Sequence, residues 1–308
     1  MPTFLEEQLS AHFGADDLAR IRAGYEAAAS RPVTLRANAL KASATQVAKE
    51  LEEAGIAFEQ MDWYQDAFIL RGVRERAVWD LPLYQEGEVY LQSLSSMLPP
   101  LALRPRAGAD ILDMCAAPGG KTAQIAALTD GAAHITACEM NGPRAEKLAH
   151  NLEKLGAGKV NVMRVDARQL DEFFRFDQIL VDASCTGSGT VRADDPKTDE
   201  RLTDKLLAKT TRSQAALLDR ALTVLKPGGN LVYSTCSILP QENDRQVKRA
   251  LERHPDCSIE PLASLGGIDL SAAPFAQLPS EIPGTLTICP DCLFEGFYLA
   301  AIKKEPQR

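Results

Sequence analysis

Two cysteines and one aspartate are spaced so that a parallel sheet would bring them to a common edge. Cys185 follows the apolar run FDQILVD (176–182) in the segment DASCTGSGT, residues 182–190. Cys236 follows a second apolar run, in YSTCSILPQEN, residues 233–243. Neighbouring strands lie about 5 Å apart, so thiols just past two adjacent strand ends would share one pocket with Asp182. A cysteine within an ordinary strand is inert packing, but a thiolate in a partly open turn is a nucleophile. The chemistry that uses two thiols and a carboxylate beside a methyl donor is methylation of carbon 5 of a cytosine. That carbon is a poor nucleophile until a thiolate adds at carbon 6 and makes the ring enamine-like, which is covalent catalysis. A carboxyl group at the ring nitrogen would stabilise the adduct. A second acid/base group would serve the loss of the carbon 5 proton and the elimination of the thiol.

The methyl donor is suggested by a second set of residues. Asp113, Glu139, Asp166 and Asp182 are read as ending four successive strands, 110–116, 134–140, 160–166 and 176–182. Any one of them alone reads as an ordinary helix N-cap; the set reads as a binding rim. In open parallel sheets, ligands sit at the carboxyl ends of the strands. The first strand runs into DMCAAPGGK (113–121), where glycines permit close approach and the next helix begins with free N–H groups. Glu139 lies 19 residues after Gly120, a spacing that suits hydrogen bonds to ribose hydroxyls. An acidic rim repels polyphosphates, and Gly120-Lys121-Thr122 matches only the end of a phosphate-binding G-x-x-x-x-G-K-[ST] loop. S-adenosylmethionine, with its sulfonium and ammonium charges, suits such a rim.

From residue 109 the rhythm is strand, helix, strand, helix, which implies a parallel sheet covered on both faces. A long helix is expected over about 203–225, a turn and strand over 225–237, a helix over 241–254 and a loop over 266–286. Upstream, residues 1–30 read as one or two helices and 31–95 as a small mixed α/β unit. Ser43 with Gln46 has capping-box spacing, followed by Val47, Leu51 and Ala54 on one helical face. Domains are expected at 1–90 and 91–308.

The 308 residues carry a formal net charge of −8 and 45% apolar residues, an ordinary globular balance. The acidic total argues against general nucleic-acid binding without excluding a local basic surface. Residues 30–106 hold nine Lys/Arg against ten Asp/Glu, so charge does not mark that segment as an RNA platform. Arg71, Arg74 and Arg76, like Arg104 and Arg106, read as solvated faces. No apolar run reaches the ~18 residues of a membrane span. The first 15 residues lack a basic n-region, so no secretion signal is expected. The seven cysteines are then expected to be reduced thiols in a cytoplasmic protein. Cys289-Pro-Asp-Cys292 invites a zinc reading. Two further ligands would be needed, and the four histidines show no matching spacing, so no metal is expected.

Taken together, DMCAAPGGKT (113–122), CEMN (138–141), VDA (165–167), DASCTGSGT (182–190) and YSTCS with PQEN (233–243) resemble the Sun/NSUN (RsmB/RsmF-like) RNA cytosine-C5 methyltransferases. The resemblance extends to LRAN (35–38), VYLQSLSSMLPP (89–100) and, more loosely, FEGFYLAAIKK (294–304). It implies a Rossmann-like class I methyltransferase domain, doubly wound and mostly parallel, with seven strands of which the last is antiparallel. A smaller N-terminal α/β RNA-binding domain would precede it. Cys115, Ala116, Ala117, Pro118, Gly119, Gly120, Lys121, Glu139, Asp166 and Asp182 would bind S-adenosylmethionine. Cys236 would be the nucleophile, Cys185 would assist product release, and Asp182 would also contact the cytosine. Ser184 stands where the family usually has proline, and no appended PUA-like module is seen. The substrate would be a cytosine in a loop or unstacked position of rRNA or tRNA, bound by a monomer away from any membrane. Two alternatives remain: a non-catalytic RNA-binding or ribosome-assembly factor with a retained cofactor pocket, and a different methyl acceptor such as DNA or protein.

Overall fold

Patterning separates the strands into two main sheets. The computed structural model describes residues 3–306 apart from residues 196, 263, 266 and 267. Two helices come first, α1 (Thr3–Ser10) and α2 (Ala15–Ala27). The smaller sheet then forms from β1 (Val33–Ala37), β2 (Phe58–Met61), β3 (Tyr64–Leu70) and β4 (Val89–Leu91). Its order is β2-β3-β1-β4, and every pairing is antiparallel. α3 (Ala44–Glu53) connects β1 to β2, and the short α4 (Glu75–Trp79) and α5 (Pro82–Gln85) connect β3 to β4. The capping box is present: Gln46 N–H donates to Ser43 Oγ at 3.2 Å and Ser43 N–H to Gln46 Oε1 at 2.9 Å. Val47 and Leu51 are buried on the inner face of α3.

The larger sheet begins after α6 (Leu94–Leu103). It contains β5 (Asp110–Asp113), β6 (His134–Cys138), β7 (Asn161–Met163), β8 (Phe176–Asp182) and β9 (Leu225–Thr235). Helices α7 (Gly120–Leu128), α8 (Gly142–Lys154), α9 (Thr198–Arg201), α10 (Asp204–Val224) and α11 (Asp244–Arg253) alternate with these strands and follow the last of them. The later strands are β10 (Cys257–Ile259), β11 (Ser264–Leu265), β12 (Ile268–Asp269), β13 (Gln277–Leu278), β14 (Leu286–Ile288) and β15 (Phe297–Lys304). The order is β13-β14-β15-β9-β8-β5-β6-β7, with β10 also paired to β15. Strands β5 to β9 pair in parallel, and β15 lies antiparallel to β9. The order runs outward from β5 in both directions, so the chain switches sides between β5 and β8. In open α/β sheets such a reversal opens a crevice at the carboxyl ends of the strands, where Asp113 and Asp182 stand.

Among the described residues the sheet has nine strands where seven were expected. The additional two, β10 and β13, are two or three residues long and pair at the antiparallel side. Segments so short carry no alternation to read. For the same reason the loop expected over 266–286 holds β12 and β13, while residues 266 and 267 lie outside the described residues.

The two sheets are tied together. Buried Arg36 of β1 donates from Nε to Gln92 Oε1 at 3.1 Å and from Nη2 to the Gly120 carbonyl at 3.5 Å, the first residue of α7. Leu5, Leu9 and Ile21 of α1 and α2 pack with Val191, Ile238 and Leu239, and Tyr25 Oη donates to the Ser188 carbonyl at 2.7 Å. The first two helices thus press on the loops beyond β8 and β9. No helix among the described residues is long and apolar enough to cross a membrane.

Candidate active site

The loop after β5 is shaped from three directions. Asp113 is buried, and its carboxylate accepts from Thr122 Oγ1 at 2.7 Å and from Cys115 N–H at 3.3 Å. Burial, with a lesser contribution from the charge of Asp182, pushes the Asp113 carboxyl up to about 6. Gly119 has φ of +111°, a conformation that favours glycine, and it caps α7. The carbonyls of Ala117 and Pro118, joined by a cis peptide bond, accept from Arg144 at 3.1 Å and Asn151 at 2.7 Å, both on α8. Ala116 N–H reaches the Cys138 carbonyl at 3.0 Å. Residues Cys115 to Gly120 are therefore a rigid cradle before α7 opens.

Glu139 and Asp166 wall a small cavity of about 90 Å³ that also touches Cys115 and Ser184. Glu139 accepts from Asn141 N–H at 2.8 Å and pairs with Arg144 at 3.1 Å. Asp166 lies three residues past the end of β7, not on the strand, and caps a short 3-10 turn. Arg168 grips it, with Nη2 to Oδ2 at 2.7 Å and Nε to Oδ1 at 2.8 Å, and holds its carboxyl below the usual range. Asp166 thus caps a turn, Glu139 holds the residue that caps α8, and both wall the cavity.

A second cavity of about 320 Å³ meets the first at Cys115, and Cys185 lies outside its lining. Asp182 and Cys236 line it, and Cys185 Sγ lies 3.2 Å from Cys236 Sγ. This is far longer than the ~2.05 Å of a disulfide, and both cysteines are free. The hydrogen bond to Cys236, and then burial, push the Cys185 thiol well up, and either sulphur can donate to the other. Lys121 Nζ pairs with Asp182 Oδ2 at 2.9 Å and donates to Ser96 Oγ at 2.7 Å, while lying 5.8 Å from the centre of the Phe297 ring. Burial works against its charge, but Asp182, with a smaller contribution from Cys236, overrides this and holds the ammonium above its usual range. Ser234 Oγ donates to Asp182 Oδ1 at 2.7 Å.

Sequence reasoning quoted but did not assign Glu242, within PQEN. It is fully buried. Its carboxylate accepts from Thr186 N–H at 2.9 Å, from the Thr186 and Thr210 hydroxyls at 2.5 and 2.6 Å, and from Gln214 Nε2 at 3.2 Å. Thr186 adjoins Cys185, so the carboxylate fixes that loop to α10. Gln214 also donates to the Ser184 carbonyl at 3.0 Å. Hydrogen bonds hold the turn where a proline would have stiffened it. Gly189 and Gly296 lock the loops from the other side: Gly189 N–H reaches the Cys236 carbonyl at 3.0 Å and Gly296 N–H the Gly189 carbonyl at 2.9 Å. A Cβ on Gly189 would lie 1.9 Å from the Gly296 carbonyl oxygen.

Cys289 is buried and Cys292 exposed, and no group of three metal-ligating side chains gathers among the described residues.

The family profile described as 16S rRNA methyltransferase RsmB/F matches residues 100–303. The chain belongs to the RsmB/F methyltransferase family. A second profile, the ferredoxin-like domain of RsmF/B-like methyltransferases, matches residues 1–75. Among curated RsmB/F relatives, a Ribosomal RNA small subunit methyltransferase F of Shewanella sp. (strain ANA-3) is 33% identical over 97% of this chain and 61% of its own length. A Probable ribosomal RNA small subunit methyltransferase B of Bacillus subtilis (strain 168) is 33% identical over 88% of this chain and 60% of its own. The chain thus spans about three fifths of the length of these relatives. A solved methyltransferase homologue from Pyrococcus horikoshii is 31% identical, covers 99% of both chains and superposes with a TM-score of 0.76.

Proposed function

We propose that this chain transfers a methyl group from S-adenosylmethionine to carbon 5 of a cytosine in structured RNA, through a covalent adduct on Cys236. The observation that carries this reading is the 3.2 Å approach of two free thiols beside the Lys121–Asp182 pair. Ribosomal RNA of the small subunit is the favoured substrate, given what the curated relatives are named for.

The residues fit the cofactor. Glu139 and Asp166 offer carboxylates to hydroxyl and amine donors, and Asp113 and Asp182 add acidic character that suits a cation. When bound, S-adenosylmethionine supplies an electrophilic methyl group. The remaining steps belong to the chain. Cys236 gives up its thiol proton to the ring nitrogen as Sγ bonds to carbon 6 of the base, and the ring electrons displaced onto carbon 5 form the new carbon–carbon bond as the methyl group's bond to the donor sulphur breaks. Lys121, held by Asp182, donates a hydrogen bond to the polar edge of the ring and disperses charge in the adduct. A base then removes the carbon 5 proton, and the carbon–sulphur bond breaks to restore the double bond. Cys185 returns a proton to Cys236 as it leaves. The base must leave its stack to reach the cavity, so a loop or bulge is the preferred target.

Bisulfite sequencing of RNA from cells with and without this gene tests the reading. A single cytosine protected only when the gene is present supports it; an unchanged protection pattern in all RNA removes it.

A further inference from the structure

Glu295 lines the same cavity as Cys236, Asp182 and Lys121, and no step above uses it. Its position is fixed relative to the nucleophile. Ser95 Oγ donates to the Glu295 carbonyl at 2.9 Å, and the next residue, Gly296, is linked through Gly189 to the Cys236 carbonyl. The side chain is half-buried and bonded through one oxygen. Oε2 accepts from Ser93 Oγ at 2.7 Å, whereas Oε1 makes no hydrogen bond among the described residues. Asp182, the other carboxylate at the thiols, has Oδ2 taken by Lys121 and Oδ1 by Ser234.

A cytosine held with carbon 6 at Cys236 offers two acceptors, the ring nitrogen and the 2-oxo group, and one donor, the exocyclic amine. The Lys121 ammonium is a donor and serves an acceptor of the base. The amine needs a free acceptor. We infer that Glu295 accepts the hydrogen bond from the exocyclic amine of the target cytosine and so rejects uracil. This rests on the cytosine reading above and names the group that enforces it. Uracil would set its 4-oxo group against the carboxylate, two acceptors with no proton between them, which costs discrimination rather than mere affinity.

The test uses two short single-stranded RNAs spanning the bisulfite-mapped site, with C or U at the target position. Glu295→Gln keeps the shape and gains an amide donor that suits the 4-oxo group. The ratio of kcat/KM for C over U should fall by about 10- to 100-fold, the range a single specific base contact supplies. Glu295→Asp should keep most of the preference. An unchanged ratio in Glu295→Gln, even with lower overall rate, overturns the assignment and marks Glu295 as structural or as the proton acceptor. Should Glu295→Gln fail to fold, Glu295→Ala reads the same point: affinity for the C strand falls towards that for the U strand. Equilibrium binding of both strands separates the two claims. A wild-type protein that prefers C, loses the preference in Glu295→Gln and methylates neither strand would retain the Glu295 assignment and remove the carbon 5 reading.

Discussion

Cys185 Sγ and Cys236 Sγ are 3.2 Å apart although 51 residues separate them in the chain. The contact exists because β8 and β9 pair in parallel with Asp182 opposite Ser234. Three residues past Asp182 and two past Ser234, the chain is still within reach of its neighbour. Cys236 lines the 320 Å³ cavity and Cys185 does not, which distinguishes the two thiols. Cys236→Ala is therefore expected to lose methyl transfer by at least about 10³-fold, as removal of a nucleophile does. Cofactor affinity measured by calorimetry should change less than about threefold, because Cys236 does not touch the cavity walled by Glu139 and Asp166. Measurable wild-type turnover in this variant would reassign the nucleophile.

Cys185→Ala should leave addition and methylation intact but slow the release of Cys236, which loses its nearest proton source. A shifted protein–RNA band should accumulate on a denaturing gel when S-adenosylmethionine is present. Absence of that band, with normal product yield, would deny Cys185 the release role.

Glu242 should matter to both stability and rate. Replacing it with alanine strands the Thr186 N–H and hydroxyl in a buried site, whereas Thr210 and Gln214 keep the Leu207 and Ser184 carbonyls. Unmet buried donors cost about 1–3 kcal/mol each before relaxation, so a loss of roughly 3 kcal/mol is expected in urea unfolding. Glu242→Gln keeps the volume and should lose less. In that milder variant kcat should fall while cofactor affinity holds, since the Cys185 loop loosens and the cradle after β5 does not.

The strand–helix rhythm from residue 109 was legible because each parallel strand is an apolar run bounded by turn residues, and β8 falls at the expected 176–182. The thiol pair and the cradle were legible for the same reason: both sit at strand ends that the run lengths mark. Glu242 and Glu295 were not. Their roles depend on partners more than 20 residues away, such as Thr210 and Ser93, and nothing local distinguishes a buried glutamate from a solvated one. The placement of α1 and α2 against Ile238 and Leu239 was hidden likewise, because an amphipathic helix does not reveal which surface receives it. Asp166 was read as the end of a strand over 160–166, yet pairing with β6 stops at Met163.

Asp113 gives a pH prediction whose sign follows from its burial. Its carboxyl is raised from 3.8 to about 6 in the folded chain, first by loss of solvation. Between those values the folded state binds a proton that the unfolded state has released, so stability falls as pH rises. The contribution is fully present below about pH 4 and lost above about pH 6. Two pH units correspond to about 3 kcal/mol. Asp113→Asn cannot titrate and lacks this slope. Its amide loses one accepted hydrogen bond, from Thr122 or Cys115, at every pH. Only the pH dependence of the difference is therefore diagnostic. The stability of the native chain minus that of Asp113→Asn, from urea unfolding at about pH 4, 5, 6 and 7, should decrease across the series by up to about 3 kcal/mol. A difference that stays flat or grows with pH would mean that Asp113 is already ionised in the folded chain near pH 4, with Thr122 and Cys115 outweighing its burial.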